Sequence, residues 1–210
     1  MPEEEKEVTK PKKKYYDHIS VASRTKQNVY FVAQHDKNNM LSLLLKSSDT
    51  KQTVVLCKSK KNADSLAEYL KAKEIKATAI HGNHRAEQVT DARLSFSVGE
   101  TSVLITTDMI LQSMELSNIQ RVISYDLPID PLDYSKRIRY VDEIGEAISL
   151  VSSDEESNLE AIEIWTRCEM KECELEGFSP TPAPRKEKKR KKPRPVKRKV
   201  RKDDEKLKDD

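Results

Sequence analysis

Residues 53–57 read Thr-Val-Val-Leu-Cys, an apolar run with no alternation, and Ala63, Leu66, Ala67 and Leu70 follow it at i, i+3, i+4 and i+7. A strand exposed on one face alternates apolar with polar residues, so an unbroken run is a strand covered on both faces. Joined at once to an amphipathic helix, such a strand belongs in a parallel sheet, whose strands need crossover connections. An antiparallel β-domain or an all-helical bundle does not accommodate this stretch.

The rest of the chain repeats the theme. Val29–Val32 reads as a strand and Met40–Leu45 as the helix after it. Ala77–Ile80, Val103–Ile105, Arg121–Ser124 and Ala147–Val151 read as further strands. Between them lie a helix with Ala86, Val89, Ala92 and Phe96 inward and a helical stretch over Pro131–Ile138. A last helix, Asp154 to Met170, would place Leu159, Ile162 and Trp165 on its buried side. The expected fold is α/β: one parallel sheet of about six or seven strands, with right-handed crossovers placing helices on both faces. Residues 1–14 read as a disordered leader, 15–178 as the domain, and 179–210 as a disordered basic tail opened by Ser-Pro-Thr-Pro-Ala-Pro.

Charge is distributed unevenly. The formal net charge is +3, yet Arg185–Lys202 holds thirteen Lys/Arg against the single acid Glu187, which leaves residues 1–184 net acidic. A single-sign block of this kind stays solvated and attracts polyanions, nucleic acid foremost. The four glycines, Gly82, Gly99, Gly145 and Gly177, are spaced so that neither GxxxxGK[ST] nor GxGxxG can be assembled from them. Cys57, Cys168 and Cys173 match no zinc or disulfide framework; the last two are five apart on an expected helix, which is no zinc spacing. No apolar run approaches a membrane span and the N-terminus lacks a signal-peptide core, so the expectation is a soluble, cytoplasmic protein with no membrane partner.

Three constellations draw attention. Asp154-Glu155-Glu156 is reminiscent of a Mg²⁺-holding acidic box, but Ser153 with Glu156 three later reads better as a capping box. His81 and His84 sit where a strand ends and read as a turn before a ligand pair. Thr106-Thr107-Asp108 follows the carboxyl end of a parallel strand, where open α/β sheets bind ligands, and where a helix N-cap is equally at home.

In order, TVVLCKSKKNADSLAEYL, AIHGN, VLITTD, RVISYDLPIDPLDYSKRI and GEAISLV resemble the second RecA-like lobe of DEAD-box RNA helicases, most of all the bacterial RhlE-like subgroup. The likeness runs from about Tyr15 to Pro182 and includes the EGFSPTP stretch. It implies single-stranded RNA contacts at Gly82, Thr107 and Asp108, which read backbone shape rather than sequence. Lys58, Lys60 and Lys61 follow the TVVLC strand at the same edge, either as phosphate contacts or as a solvated face.

The departures are as specific. Against the family's HGxxxQxxR, Ala86 and Val89 replace the Gln and the Arg. Against TDxxARGLD, Thr107-Asp108 is followed by Leu111, Gln112, Ser113, Met114 and Glu115. The counterpart of HRIGRTGR runs from Lys136 to Glu143: Arg137 remains, while Tyr140 and Glu143 hold the arginine-finger positions and Arg139 stands where the family has Gly. A finger contributes roughly 10³–10⁵ in turnover by offsetting phosphoryl charge, which a glutamate would repel. The phosphate loop and Mg²⁺-binding acids of the family's first lobe have no counterpart in these residues.

The resemblance therefore implies no catalytic residue, no metal and no ATP bound by this chain alone. Together with the net acidic body, it leads to the expectation of an RNA-binding protein whose tail residues Lys188, Lys189, Arg190, Lys191, Lys192, Arg194, Lys197, Arg198 and Lys199 carry most of the affinity. The alternatives are a module that docks a separate helicase or ribonuclease, and a helicase subunit completed in trans.

Overall fold

The computed structural model describes residues 17–47, 51–116 and 119–182. Within them the chain builds α1 (His18–Arg24), β1 (Lys26–Phe31), α2 (Lys37–Lys46), β2 (Thr53–Leu56), α3 (Lys60–Ala72), β3 (Ala77–Ala79) and α4 (Ala86–Ser97). It continues with β4 (Val103–Thr106), α5 (Asp108–Met114), β5 (Ile119–Ser124), α6 (Pro131–Ile138), β6 (Val141–Val151), α7 (Glu156–Thr166) and β7 (Lys171–Glu172).

The strands form one seven-stranded parallel sheet in the order β3-β4-β2-β5-β6-β1-β7. The continuous apolar run is the reason β2 lies near its middle: all four of its residues are buried, between β4 and β5. Val55, Ile105, Ile123 and Ile148 share one face with Met40, Leu41 and Leu44 of α2 and Ala63, Leu66 and Leu70 of α3. Val54, Leu56, Leu104 and Val122 point the other way, onto Ala92 and Phe96 of α4 and Leu111 and Met114 of α5. A third cluster joins Val29, Ala147 and Val151 to α1, α6 and α7. Helices thus cover both faces, as expected. Helix starts follow local chemistry: Ser59 accepts from Asn62 N, and Asp130 accepts from Leu132 N with Pro131 in the first turn.

Several local expectations are corrected. The last helix spans Glu156–Thr166 only, because Arg167 turns left-handed at φ 53° and ends it. Cys168 and Cys173 therefore flank β7 instead of riding a helix. Trp165 is 43% exposed, with His18 stacked on it at 4.8 Å, since Leu159 and Ile162 already define the helix's buried stripe. The serine–glutamate pair at this helix is Ser152 with Glu155, one residue earlier than expected: the Ser152 backbone N–H and hydroxyl both donate to Glu155 Oε2. Ala86, read as inward, is exposed: it is the first residue of α4, and the helix's buried stripe begins only with Val89, Ala92 and Phe96. The β6 strand starts at Val141, six residues before the expected Ala147.

Candidate nucleic-acid interface

Because every strand is parallel, the loops after β1, β2, β3, β4, β5 and β6 all emerge at one edge, the carboxyl edge of the sheet. Lys58 follows β2; its backbone N–H donates to Asp126 Oδ2 at 2.8 Å while its side chain is exposed. Lys60 opens α3 and places Nζ 2.7 Å from Asn83 Oδ1. A Cβ on Gly82 would lie 3.4 Å from Lys60 Nζ and 3.6 Å from Met109 Cε, so the turn after β3, the lysine and the start of α5 converge. Thr107 accepts from Ile110 N and Leu111 N through its carbonyl, while its side chain makes no capping bond. Beneath the turn, His81 Nε2 pairs with Asp64 Oδ1 at 2.8 Å, and His84 Nδ1 meets the His81 backbone N–H at 3.2 Å, so the two histidines brace the turn.

The structure brings Gly82, Lys60 and Thr107 together on this edge, but it commits the Asp108 carboxylate elsewhere. Arg137, 2% exposed, donates from Nε and Nη2 to the two oxygens of Asp108 at 2.6 and 2.7 Å. Its Nη1 donates to Ser124 Oγ and to Asp126 O. Spacing alone gave no sign of this partnership, because the two residues are 29 apart and only the crossover topology makes them neighbours.

Of the two arginine-finger positions, 140 lies in the turn that leads from α6 into β6 and 143 inside β6. Tyr140 packs half-buried against the Val54–Leu104 cluster, and that burial pushes its phenol upward. Position 143 falls inside β6, and the Glu143 side chain lies outside the described residues. Between Ile119↔Val141 and Arg121↔Glu146 the register shifts, so β6 bulges there. Gly145 makes the bulge possible: a Cβ would lie 2.5 Å from Val141 Cγ1 and 2.7 Å from Gln120 O. Of the other altered motif positions, Gln112 is exposed, Val89 is half-buried beside Ala92, and Glu115 ends α5 in a left-handed turn at φ 46°. The tail residues Lys188 to Lys199 lie outside the described residues.

Two groups of contacts at this edge escaped sequence reasoning. Lys37 is fully buried and donates to Tyr125 O at 2.8 Å and to the Glu155 carboxylate, which also accepts from Leu127 N. The Asp154-Glu155-Glu156 string thus holds a structural ion pair. Asp36, beside Lys37, accepts two bonds from Thr181, three residues beyond the expected boundary at 178. Among the described residues, no group of three or more His, Cys, Asp or Glu side chains is arranged to hold a metal ion. No described helix is long and apolar enough to cross a membrane.

Residues 36–141 match the family described as "Helicase conserved C-terminal domain". The ATP-dependent RNA helicase vasa of Drosophila melanogaster is 35% identical over 123 residues, 59% of this chain and 18% of vasa. The DEAD-box ATP-dependent RNA helicase RhpA of Helicobacter pylori is 29% identical over 129 residues, 60% of this chain and 26% of that protein. The chain therefore spans about a quarter or less of these relatives' length. Among solved structures, the E. coli DEAD-box protein SrmB bound to RraA superposes with TM-score 0.71 at 22% identity, over 76% of this chain and 97% of that one. A DEAD box protein from Methanococcus jannaschii gives 0.68 at 27% identity, over 73% and 43%. The C-terminal domain of S. cerevisiae Dbp5 bound to Gle1 gives 0.65 at 26% identity, over 71% and 89%.

Proposed function

The chain belongs to the helicase conserved C-terminal domain family, and from that premise we propose that it is a non-catalytic RNA-binding protein: a second RecA-like lobe of DEAD-box type that holds single-stranded RNA without hydrolysing ATP. The observation that carries this reading is the arrangement of one sheet edge. Lys58, Lys60, Gly82 and Thr107 emerge there together, and Thr181, the threshold of the basic tail, is fastened to the same edge. Backbone turns flanked by lysines suit a phosphate chain and read little sequence. The tail then supplies most of the affinity through counterion release.

Catalysis is disfavoured by what stands at the finger positions. Tyr140 is packed on a core cluster, and the acid Glu143 belongs to the bulged start of β6. Neither offers the delocalised cation that phosphoryl transfer calls for. Kinship with the bacterial RhlE-like subgroup rests on the order of the motifs and on the EGFSPTP stretch.

A second reading, a module that docks a separate helicase or ribonuclease, is favoured by Met109 and Ile129, which are exposed at the same edge. A titration of labelled single-stranded RNA with the full chain, with and without ATP, separates the two. The RNA-binding reading expects saturable binding unaffected by ATP, and no hydrolysis above background. RNA-stimulated turnover would overturn it, and an absence of RNA binding would hand the edge to a protein partner.

A further inference from the structure

Residues 173–182 cross the body as a strap with no helix or strand of their own. Cys173 N donates to Val29 O at 2.9 Å, and Leu175 and Phe178 pack against the Leu41–Leu66 cluster. At the far end the Thr181 backbone N–H and hydroxyl donate to the two oxygens of Asp36, at 2.8 and 2.5 Å, and the Thr181 carbonyl lies 3.0 Å from His35 Nε2. The hydroxyl bond above all holds the Asp36 carboxyl below the ordinary aspartate value, so the group is charged at neutral pH. Asp36 is buried, whereas Thr181 is exposed.

The sequence marks the same spot. Of the nine prolines in the chain, two follow a hydroxyl residue, Pro180 after Ser179 and Pro182 after Thr181. Both steps fall in the strap, and all four residues are exposed. A proline biases the residue before it toward extended backbone. An exposed, extended Ser/Thr-Pro step is the form in which a proline-directed protein kinase takes its acceptor. The two hydroxyls differ in what a phosphoryl group would disturb. The Thr181 hydroxyl is bonded to a buried carboxylate, while Ser179 makes no side-chain bond among the described residues.

We propose that Thr181 is a phosphorylation site for a proline-directed serine/threonine protein kinase, and that the phosphate releases the strap from Asp36. In the transfer, the bond from Thr181 Oγ1 to the γ-phosphorus of ATP forms as the bond to the leaving ADP breaks, and the hydroxyl proton passes to the kinase's base. The kinase takes the strap in its open form, which a chain segment held by a few bonds visits at low cost. The product does not close again. Oγ1 no longer has a proton to donate, and it carries a group of about −1.5 to −2 charge facing the Asp36 carboxylate. Lys37, next to Asp36, does not offset that charge, because it is fully buried and committed to Tyr125 O and to the Glu155 carboxylate. Release frees Leu175 from the cleft that it lines with Tyr30, Leu44 and Ile148. The inference stands apart from any RNA bound at the lysine edge.

The test incubates the full chain, wild type and carrying Ser179→Ala or Thr181→Val, with ATP and a purified proline-directed kinase whose activity is checked on a Thr-Pro peptide. Tandem mass spectrometry locates the phosphate. Strap release is read from hydrogen exchange at the Thr181 amide and from the rate of cleavage by a Glu-specific protease after Glu174 and Glu176, both exposed. Phosphate is expected on Thr181 in the wild type and in Ser179→Ala. Phosphorylated Ser179→Ala should exchange and be cut about 10-fold faster than its unmodified form, with exchange in the sheet unchanged. Unmodified Thr181→Val loses the hydroxyl bond but gains no charge, and should be cut only about 2- to 3-fold faster than wild type. Phosphate confined to Ser179, or on neither residue, overturns the site. Phosphate on Thr181 with unchanged exchange and cleavage overturns the release. Neither result touches the RNA-binding reading.

Discussion

Arg137 holds Asp108 in a two-pronged ion pair, Nε to Oδ1 at 2.6 Å and Nη2 to Oδ2 at 2.7 Å, so that the helix after β5 grips the turn after β4. The pair crosses β2, which lies between those strands. One end is buried with the arginine, and the other is partly open to water at the aspartate. It gives the Thr107–Asp108 turn its fixed position.

Removing the aspartate leaves a buried guanidinium short of a partner, which is costlier than losing a surface pair. Asp108→Asn is expected to lower unfolding free energy by about 2 kcal/mol, reduced from the fully buried case by the exposure of the carboxylate. Arg137→Met alone and the double variant complete a cycle whose coupling should exceed about 1 kcal/mol in urea unfolding. Strictly additive losses would show that the pair is incidental.

The bulge at the start of β6 makes a sharper demand. Gly145→Ala puts a methyl within 2.5 Å of Val141 Cγ1 and 2.7 Å of a backbone oxygen. It should cost about 1–3 kcal/mol. Gly82→Ala meets only ordinary contacts at 3.4 Å and beyond, and should fall within about 0.5 kcal/mol of wild type. Comparable losses in the two variants would contradict the bulge's dependence on glycine.

The fold was legible because the apolar runs at Thr53–Leu56 and Val103–Thr106 leave few alternatives to a buried parallel sheet, and every expected strand was found. The edge β7 was missed: a two-residue strand carries no periodicity. Gly82, Thr107 and Lys58 lie at one edge as their places after strand ends suggested, since a parallel sheet delivers such loops to one edge. The Arg137–Asp108 and Lys37–Glu155 pairs were invisible, because residues 29 and 118 apart meet only through topology. Trp165 misled for a related reason: helical spacing gives a stripe but not its width, and Leu159 and Ile162 had already filled it.

Acid should loosen the far edge of the sheet in a predictable direction. Burial alone would raise the Glu146 carboxyl, but its bonds to Arg121 and Lys51 outweigh that and hold it below the ordinary glutamate value. A carboxyl depressed by folding contributes stability that is fully present above its unfolded value, about 4.3, and lost as pH falls through the lower folded value. The unfolding temperature should therefore drop below about pH 4.3, and Glu146→Gln should flatten that drop while lowering stability at neutral pH. A variant with the wild-type acid profile would contradict the assignment.

Arg167 ends α7 in the left-handed region at φ 53°, a conformation glycine adopts without strain. Arg167→Gly is expected to raise stability by about 0.5–1 kcal/mol. Thermal and urea unfolding both read this out, and a loss of similar size would mean that the arginine side chain contributes more than its backbone costs.

The most direct measurement is RNA affinity across a salt series, for the full chain and for a chain lacking Arg185 to Lys202. Thirteen cations in that block, meeting about six to ten phosphates at roughly −0.7 each, give a log–log slope of about −4 to −7 for the full chain. Without the block, most of the affinity should vanish and the slope should flatten to about −1 to −2, because only Lys58, Lys60 and the backbone turns remain. A shortened chain that binds as tightly as the whole, with the same slope, would contradict the division of labour between tail and lobe.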